Sequence, residues 1–294
     1  MREVFAETVQ DVMADDPRVA VVIAEISRDA FRPSPRVVNV GIREQLMVGV
    51  GSGPALTGMR PVVHSYAPFL VERPFEQIKL DFGHQGVGGV LVSIGGSYDD
   101  PVWGRTHQAP GDVALLDTLP GWRVQVPGHP DEVEPLVRAA LAADDLRYLR
   151  LSLRQNKVAF PVVEGFTAVR RGSGGVVVAV GPVLDRVLEA TADLDVTVLY
   201  ATTIRPFDGA GLRAAVAASR PDVLLVEPYL EGTSAHLVSE ALSDIPHRLR
   251  SLGVRRDAEL RAYGTPEDHD AAHDLDALGI AAAARRLFTH PVAA

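Results

Sequence analysis

Val37-Val38-Asn39-Val40-Gly41-Ile42-Arg43-Glu44-Gln45-Leu46-Met47 is the stretch that decides the fold. Its first four residues are β-rich. Beyond Arg43, Leu46, Met47 and Val50 form an apolar face at helical spacing, while Gly49, Gly51 and Gly53 remove side-chain bulk. A strand is therefore expected from Val37 to Val40, and a closely packed helix from Arg43 to Leu56. Glu44 stands at the start of that helix. Burying a carboxylate is costly unless a specific partner uses it. The plain alternative is a helix-start glutamate favoured by the macrodipole.

The same alternation extends in both directions. Phe5, Val9, Val12 and Met13 fall at helical spacing, and Val19 to Ala24 is a continuous apolar run that reads as a strand buried on both faces. Further strands are read at Pro61–Tyr66, Val90–Ile94, Trp122–Val126 and Tyr148–Leu151, with helices through Gln77, Ile78 and Leu80 and from Pro130 to about Ala143. Strands separated by helices imply a mainly parallel sheet covered on both faces. From Arg154 to Gly175 the periodicity is lost, and this stretch reads as an interdomain connection. A second α/β series follows, with strands at Val176–Val180, Val196–Leu199 and Val223–Val226 and a last helix at Ile280–Phe288. The fold class expected is α/β in two domains, residues 1–158 and 170–294.

Composition narrows the function. The 294 residues carry a formal charge of −9, which disfavours nucleic acid or an anionic membrane as partner, since both need a concentrated basic surface. There is no cysteine, so disulfides and thiolate chemistry are excluded. No apolar run approaches the ~20 residues of a membrane span. The N-terminus, Met1-Arg2-Glu3-Val4-Phe5, lacks a signal-type apolar core, and a cytoplasmic location is expected.

One connection is long. Gly95 to Gly111 follows a buried strand and should emerge at its carboxyl end, where open α/β sheets bind ligands. Tyr98, Trp103 and His107 argue that it is ordered. His64 lies within a strand and reads as a satisfied core group, and no histidine shows metal-ligand spacing.

Taken together, these pieces resemble the C-terminal half of transketolase: a pyrimidine-binding α/β domain followed by a transketolase C-terminal-type α/β domain. Gly41-Ile42-Arg43-Glu44 is similar to that family's signature around its cofactor glutamate. Thr106-His107-Gln108, followed by Asp112-Val113-Ala114-Leu115-Leu116, resembles its active-site loop. Leu151-Ser152-Leu153-Arg154-Gln155-Asn156 resembles the segment whose arginine holds the substrate phosphate, and Ser65-Tyr66-Ala67-Pro68-Phe69 an aromatic segment around the aminopyrimidine.

The resemblance implies thiamine diphosphate as cofactor, with Glu44 on the pyrimidine ring nitrogen and Tyr66 and Phe69 as the aromatic wall. Glu25 would lie near the thiazolium, unless it is only a strand-end charge. His107 would meet the donor's oxygens, and Arg154 its phosphate, unless it is a hinge arginine. The Gly-Asp-Gly that marks diphosphate and metal binding is absent from the chain. The implied protein is thus the small subunit of a split transketolase, transferring a two-carbon ketol unit from a ketose to an aldehyde. Diphosphate and Mg²⁺ would be held by an N-terminal subunit, and a heterotetramer is expected.

Three departures stand out. Trp103 replaces the aspartate that reads the donor hydroxyl, Gly95 replaces a phosphate-binding histidine, and Asp29 falls where a phosphate-contacting serine is expected. Two other readings remain, the beta subunit of a 2-oxo-acid dehydrogenase and a non-catalytic scaffold.

Overall fold

The computed structural model describes residues 1–289. Six strands come from the first half of the chain: β1 (Val19–Ile23), β2 (Val37–Asn39), β3 (Arg60–Tyr66), β4 (Gly89–Ile94), β5 (Trp122–Gln125) and β6 (Leu146–Arg150). The second half supplies β7 (Thr167–Arg170), β8 (Val176–Val180), β9 (Thr197–Ala201), β10 (Thr203–Arg205), β11 (Asp222–Leu230) and β12 (Arg248–Val254). The first sheet runs β10-β5-β6-β4-β3-β1-β2 and the second β12-β11-β8-β9-β7. All pairings are parallel except β10 with β5 and β7 with β9. This is the α/β architecture that the alternation of strands and helices predicts.

Strand alternation sorts the apolar residues of the first sheet between two layers. Val19, Val21 and Ile23 pack with Val62, Val90 and Val92 beneath the helices Arg2–Asp15 and Val133–Ala142. On the other face, Val22, Val63 and Leu91 pack with Met47, Val48, Ile78 and Phe82. That second layer runs on without a break into Val176, Val178, Ile204, Val223 and Leu225 of the second half, so one core joins both sheets. Gly51 permits the close seating of the helix Glu44–Ala55: a Cβ there would lie 2.5 Å from Val63 Cγ2.

Several elements differ from the sequence reading. The helix expected through Gln77 to Leu80 is a three-residue α-turn followed by π-helical winding from Ile78 to His84. The stretch read as an interdomain connection contains β7, and β12 and the helix Pro266–Ala272 fall where no element was read. β10 is three residues long and joins the sheet of the first half, a placement that no local period can signal. Among the described residues no helix is long and apolar enough to cross a membrane.

His64, fully buried in β3, is a satisfied core group. Its Nδ1 donates to Val92 O at 2.8 Å, and its Nε2 lies 2.9 Å from Ser27 Oγ. Burial pushes its pKa down to about 4. The unfolded chain, with an ordinary histidine near 6.5, binds the proton first as pH falls. The associated stability is therefore complete above pH ~6.5 and is lost as pH falls toward 4. Urea denaturation across that window should show a loss of about 3 kcal/mol in the wild type. His64→Gln should show a flatter profile, and equal slopes would contradict the assignment.

Candidate active site

The turn between β2 and the next helix sets Glu44. Asn39, at the end of β2, accepts the Gly41 N–H at 3.0 Å through Oδ1, and Gly41 adopts φ +72°. The same Oδ1 accepts the Glu25 N–H at 3.1 Å, while Asn39 Nδ2 donates to Glu25 Oε1 at 2.9 Å. Glu25 thus braces the signature turn from the neighbouring strand end, with Arg28 3.5 Å away.

Glu44 opens the helix Glu44–Ala55 and is 3% exposed. Arg73 Nη1 donates to its Oε1 at 2.6 Å. Among the described residues Oε2 has no hydrogen-bond partner. The Arg73 guanidinium also lies over the Phe69 ring, 4.2 Å from its centroid, a cation–π contact. Arg73 was not foreseen; an arginine four residues beyond Phe69 was the one available signal.

From Phe69 the aromatic groups continue to the loop. Phe69 meets His107 at a centroid distance of 5.0 Å and Tyr66 at 6.2 Å, and Tyr66 meets His107 at 5.7 Å. Trp103 lies 5.8 Å from His107 and is 58% exposed, its indole N–H held by Asp100 Oδ2 at 2.8 Å. His107 Nδ1 is 3.0 Å from Thr106 Oγ1. Gly95, with φ +67°, accommodates this wall, because an ideal Cβ there would sit 2.1 Å from the Tyr66 ring. The structure thereby brings Tyr66, Phe69, His107 and Trp103 into one contiguous group, to which Glu44 is joined through Arg73, with Glu25 behind the turn.

Arg154 is directed elsewhere. Its guanidinium is paired with Glu267 and Asp270 of the second half, and Asp270 also takes Arg186 at 2.6 Å. Asp29 is exposed beside Arg28. Asp99 accepts the Ser152 hydroxyl at 2.7 Å and the Leu153 N–H at 2.9 Å, and burial raises its pKa.

Under the loop lies a buried polar network. Arg150 Nε and the Tyr148 hydroxyl both donate to Asp112 Oδ2, at 2.7 and 2.6 Å, and Arg150 Nη2 donates to Ser97 Oγ at 2.7 Å. Asp112 and Arg150 are almost fully buried.

A carboxylate with an unengaged oxygen, joined through Arg73 to an aromatic wall, suits a flat heterocycle with a ring nitrogen: the ring packs on the wall and the nitrogen meets the acid. The side chains present therefore fit the aminopyrimidine of thiamine diphosphate. No three histidine, aspartate or glutamate side chains converge as metal ligands among the described residues.

Residues 1–157 match the family model described as the transketolase pyrimidine-binding domain. The chain belongs to that family. A protein of Rhodococcoides fascians, described as an uncharacterized 33.6 kDa protein in the fasciation locus, is 55% identical over 280 residues, covering 93% of this chain and 90% of that protein. An apulose-4-phosphate transketolase subunit of Actinobacillus succinogenes is 26% identical over 254 residues, covering 82% of this chain and 81% of its own. In contrast, the chain spans only 49% of the 1-deoxy-D-xylulose-5-phosphate synthase of Chlorobium luteolum that it also matches. Among solved structures, a split-gene transketolase described as an inactive beta4 tetramer superposes with a TM-score of 0.85 at 23% identity, covering 98% of both chains. This pyrimidine-domain chain therefore shares its two-domain fold with a transketolase encoded in separate pieces.

The buried pair beneath the loop gives a direct test. Arg150→Met removes the cation and leaves Asp112 buried and uncompensated, which should cost about 3–5 kcal/mol in denaturant unfolding. A loss below about 1 kcal/mol would show that the pair contributes little net stability.

Proposed function

We propose that this chain is the pyrimidine-binding subunit of a two-chain, thiamine-diphosphate-dependent transketolase. It would move a two-carbon ketol unit from a ketose to an aldehyde acceptor. The observation that carries this reading is the Glu44 carboxylate, buried, with one oxygen engaged by Arg73 and the other unengaged, and joined through Arg73 to the Phe69–Tyr66–His107 wall. Thiamine diphosphate, when bound, supplies a nucleophilic thiazolium carbon able to cleave the bond beside a ketone.

Each residue then has a definable task. Glu44 would share a proton with the pyrimidine ring nitrogen through Oε2, and burial of that contact keeps water from competing for it. Arg73 holds Oε1 and fixes the carboxylate's orientation. Phe69 and Tyr66 would flank the ring and exclude solvent. His107, with Nδ1 beside the Thr106 hydroxyl, would present Nε2 to a donor oxygen.

Diphosphate and Mg²⁺ are assigned to a partner N-terminal subunit, since the chain lacks Gly-Asp-Gly. Exposed Ile42 and Leu46 flank Glu44 and support a covering subunit there. Two of the similar proteins, one a transketolase subunit by name and the other a beta4 tetramer, also favour assembly from separate chains. We propose a cytoplasmic heterotetramer.

Two measurements test this reading. Thiamine diphosphate with Mg²⁺ should bind to a mixture of this chain and its large subunit, and Glu44→Gln should abolish two-carbon transfer. Activity indifferent to Glu44, or a partner fully active alone, would leave a scaffold. A phosphorylated donor would require Arg154 to leave Glu267 and Asp270. If those pairs persist, Arg154→Gln should change KM for a ketose phosphate by less than about threefold; a rise of about tenfold or more would place the phosphate on Arg154.

A further inference from the structure

The loop that carries His107 is closed on itself and gripped from behind. Ser97 and Ala109 exchange backbone hydrogen bonds at 3.3 and 3.0 Å, so Tyr98 and His107 lie on two arms of one closed loop. The Tyr98 ring stacks on His269 at 5.1 Å and on His273 at 5.5 Å, each at an interplanar angle of 24°. Its hydroxyl donates to Asp270 Oδ1 at 2.8 Å. His269 lies within the helix Pro266–Ala272 and His273 caps it, and its Asp270 is the same carboxylate that receives Arg154 and Arg186.

Burial and the adjacent Asp270 raise the Tyr98 pKa well above its ordinary value, so the phenol remains a donor throughout the working pH range. Four further contacts bind the loop to the same domain. The Leu230 N–H donates to Pro110 O at 2.8 Å, and the Ser97 hydroxyl donates to Pro228 O. Arg105 pairs with Glu259 at 3.5 Å, and the Tyr263 ring lies where a side chain on Gly104 would stand.

The grip consists of discrete points. A cavity of about 440 Å³ lies between the loop and the second domain, lined by Tyr98, Arg105, Gln108, Arg255, Glu259 and His269. The outer arm bearing His107 meets the aromatic wall on one side, while on the side of the second domain it is held at points of attachment rather than by continuous packing.

We propose that the helix Pro266–Ala272 and the segment leading to it position His107, with Tyr98 as the positioning residue that joins them to the loop. The second domain then has a part in the reaction beyond assembly. This rests on the reading of His107 as a substrate-facing group.

Amide hydrogen exchange on the full chain tests the clamp without any assay of activity. Tyr98→Ala should speed exchange across residues 97–109 by about tenfold or more while leaving the helix Glu44–Ala55 unchanged. Tyr98→Phe, which keeps the stacking, should recover most of the protection, and Tyr263→Ala should loosen the loop in the same direction. In the assembled enzyme Tyr98→Ala should lower kcat and raise KM for the donor, with thiamine diphosphate affinity unaltered. Unchanged loop exchange in both Tyr98→Ala and Tyr263→Ala would overturn the proposal. So would loosening that extends equally to the helix Glu44–Ala55, which would reduce Tyr98 to a general stabiliser. If Tyr98→Ala fails to fold, Tyr263→Ala and Tyr98→Phe decide by the same criteria. Should no ketol transfer be found in any assembly, loop exchange still decides the clamp, while the transketolase reading falls alone.

Discussion

Arg150 and Asp112 form the contact on which the site's architecture rests. Both are removed from water, and such a pair is tolerated to the extent that further hydrogen bonds use its donors and acceptors. Here the guanidinium reaches Asp112 and Ser97, and Tyr148 adds a second donor to the same carboxylate oxygen. The end of β6, the first residue of the helix after the long loop and the loop's first turn are thereby held to one another. Gly96 lies flat on the guanidinium, where an ideal Cβ would come within 2.6 Å of it. The loop is laid over this charge, and through Ser97 the network reaches the backbone of the second domain at Pro228.

The division of labour within the molecule is chemical. One side of the loop faces an aromatic wall joined through Arg73 to a carboxylate; the other faces a set of ion pairs. Those pairs absorb the cations that could have met an anionic donor: Arg154 and Arg186 share Asp270, and Arg154 also holds Glu267. An arginine satisfied by two carboxylates has little affinity left for a third anion unless one partner departs. Glu44 has the opposite character, with one oxygen held and the other unengaged.

Much of this was legible from local pattern. The apolar run of β1 and the change of period between Val37 and Leu56 carry the fold, because burial on both faces or on one helical stripe leaves a direct trace in sequence. The placing of Glu44 at a buried helix start and of His107 on an ordered long loop was legible through their flanking residues. What escaped depends on distant partners. β10 has three residues and no period, and its pairing partner lies near residue 124. β12 runs Arg-Leu-Arg-Ser-Leu-Gly-Val, an arginine-bearing strand at the sheet margin that lacks a continuous apolar signature. The ion pairs of Arg154 left no trace because Glu267 and Asp270, more than a hundred residues later, cannot be aligned with it by spacing. Arg73 follows a π-helical turn, where the usual i, i+3 and i, i+4 rules do not predict which side chains meet.

The crossing of β10 bears on where this polypeptide can be divided. The family match ends at residue 157, yet the sheet of the first half is completed by residues 203–205, and the Val126 N–H also bonds to Thr202 O at 2.7 Å. Arg205 reinforces the junction by pairing with Asp117. A protein excised at the end of the family match would leave Val124-Gln125-Val126 without its sheet partner, an invitation to intermolecular pairing and aggregation. The matched segment and the sheet it builds therefore have different limits, and the segment alone lacks the edge strand β10.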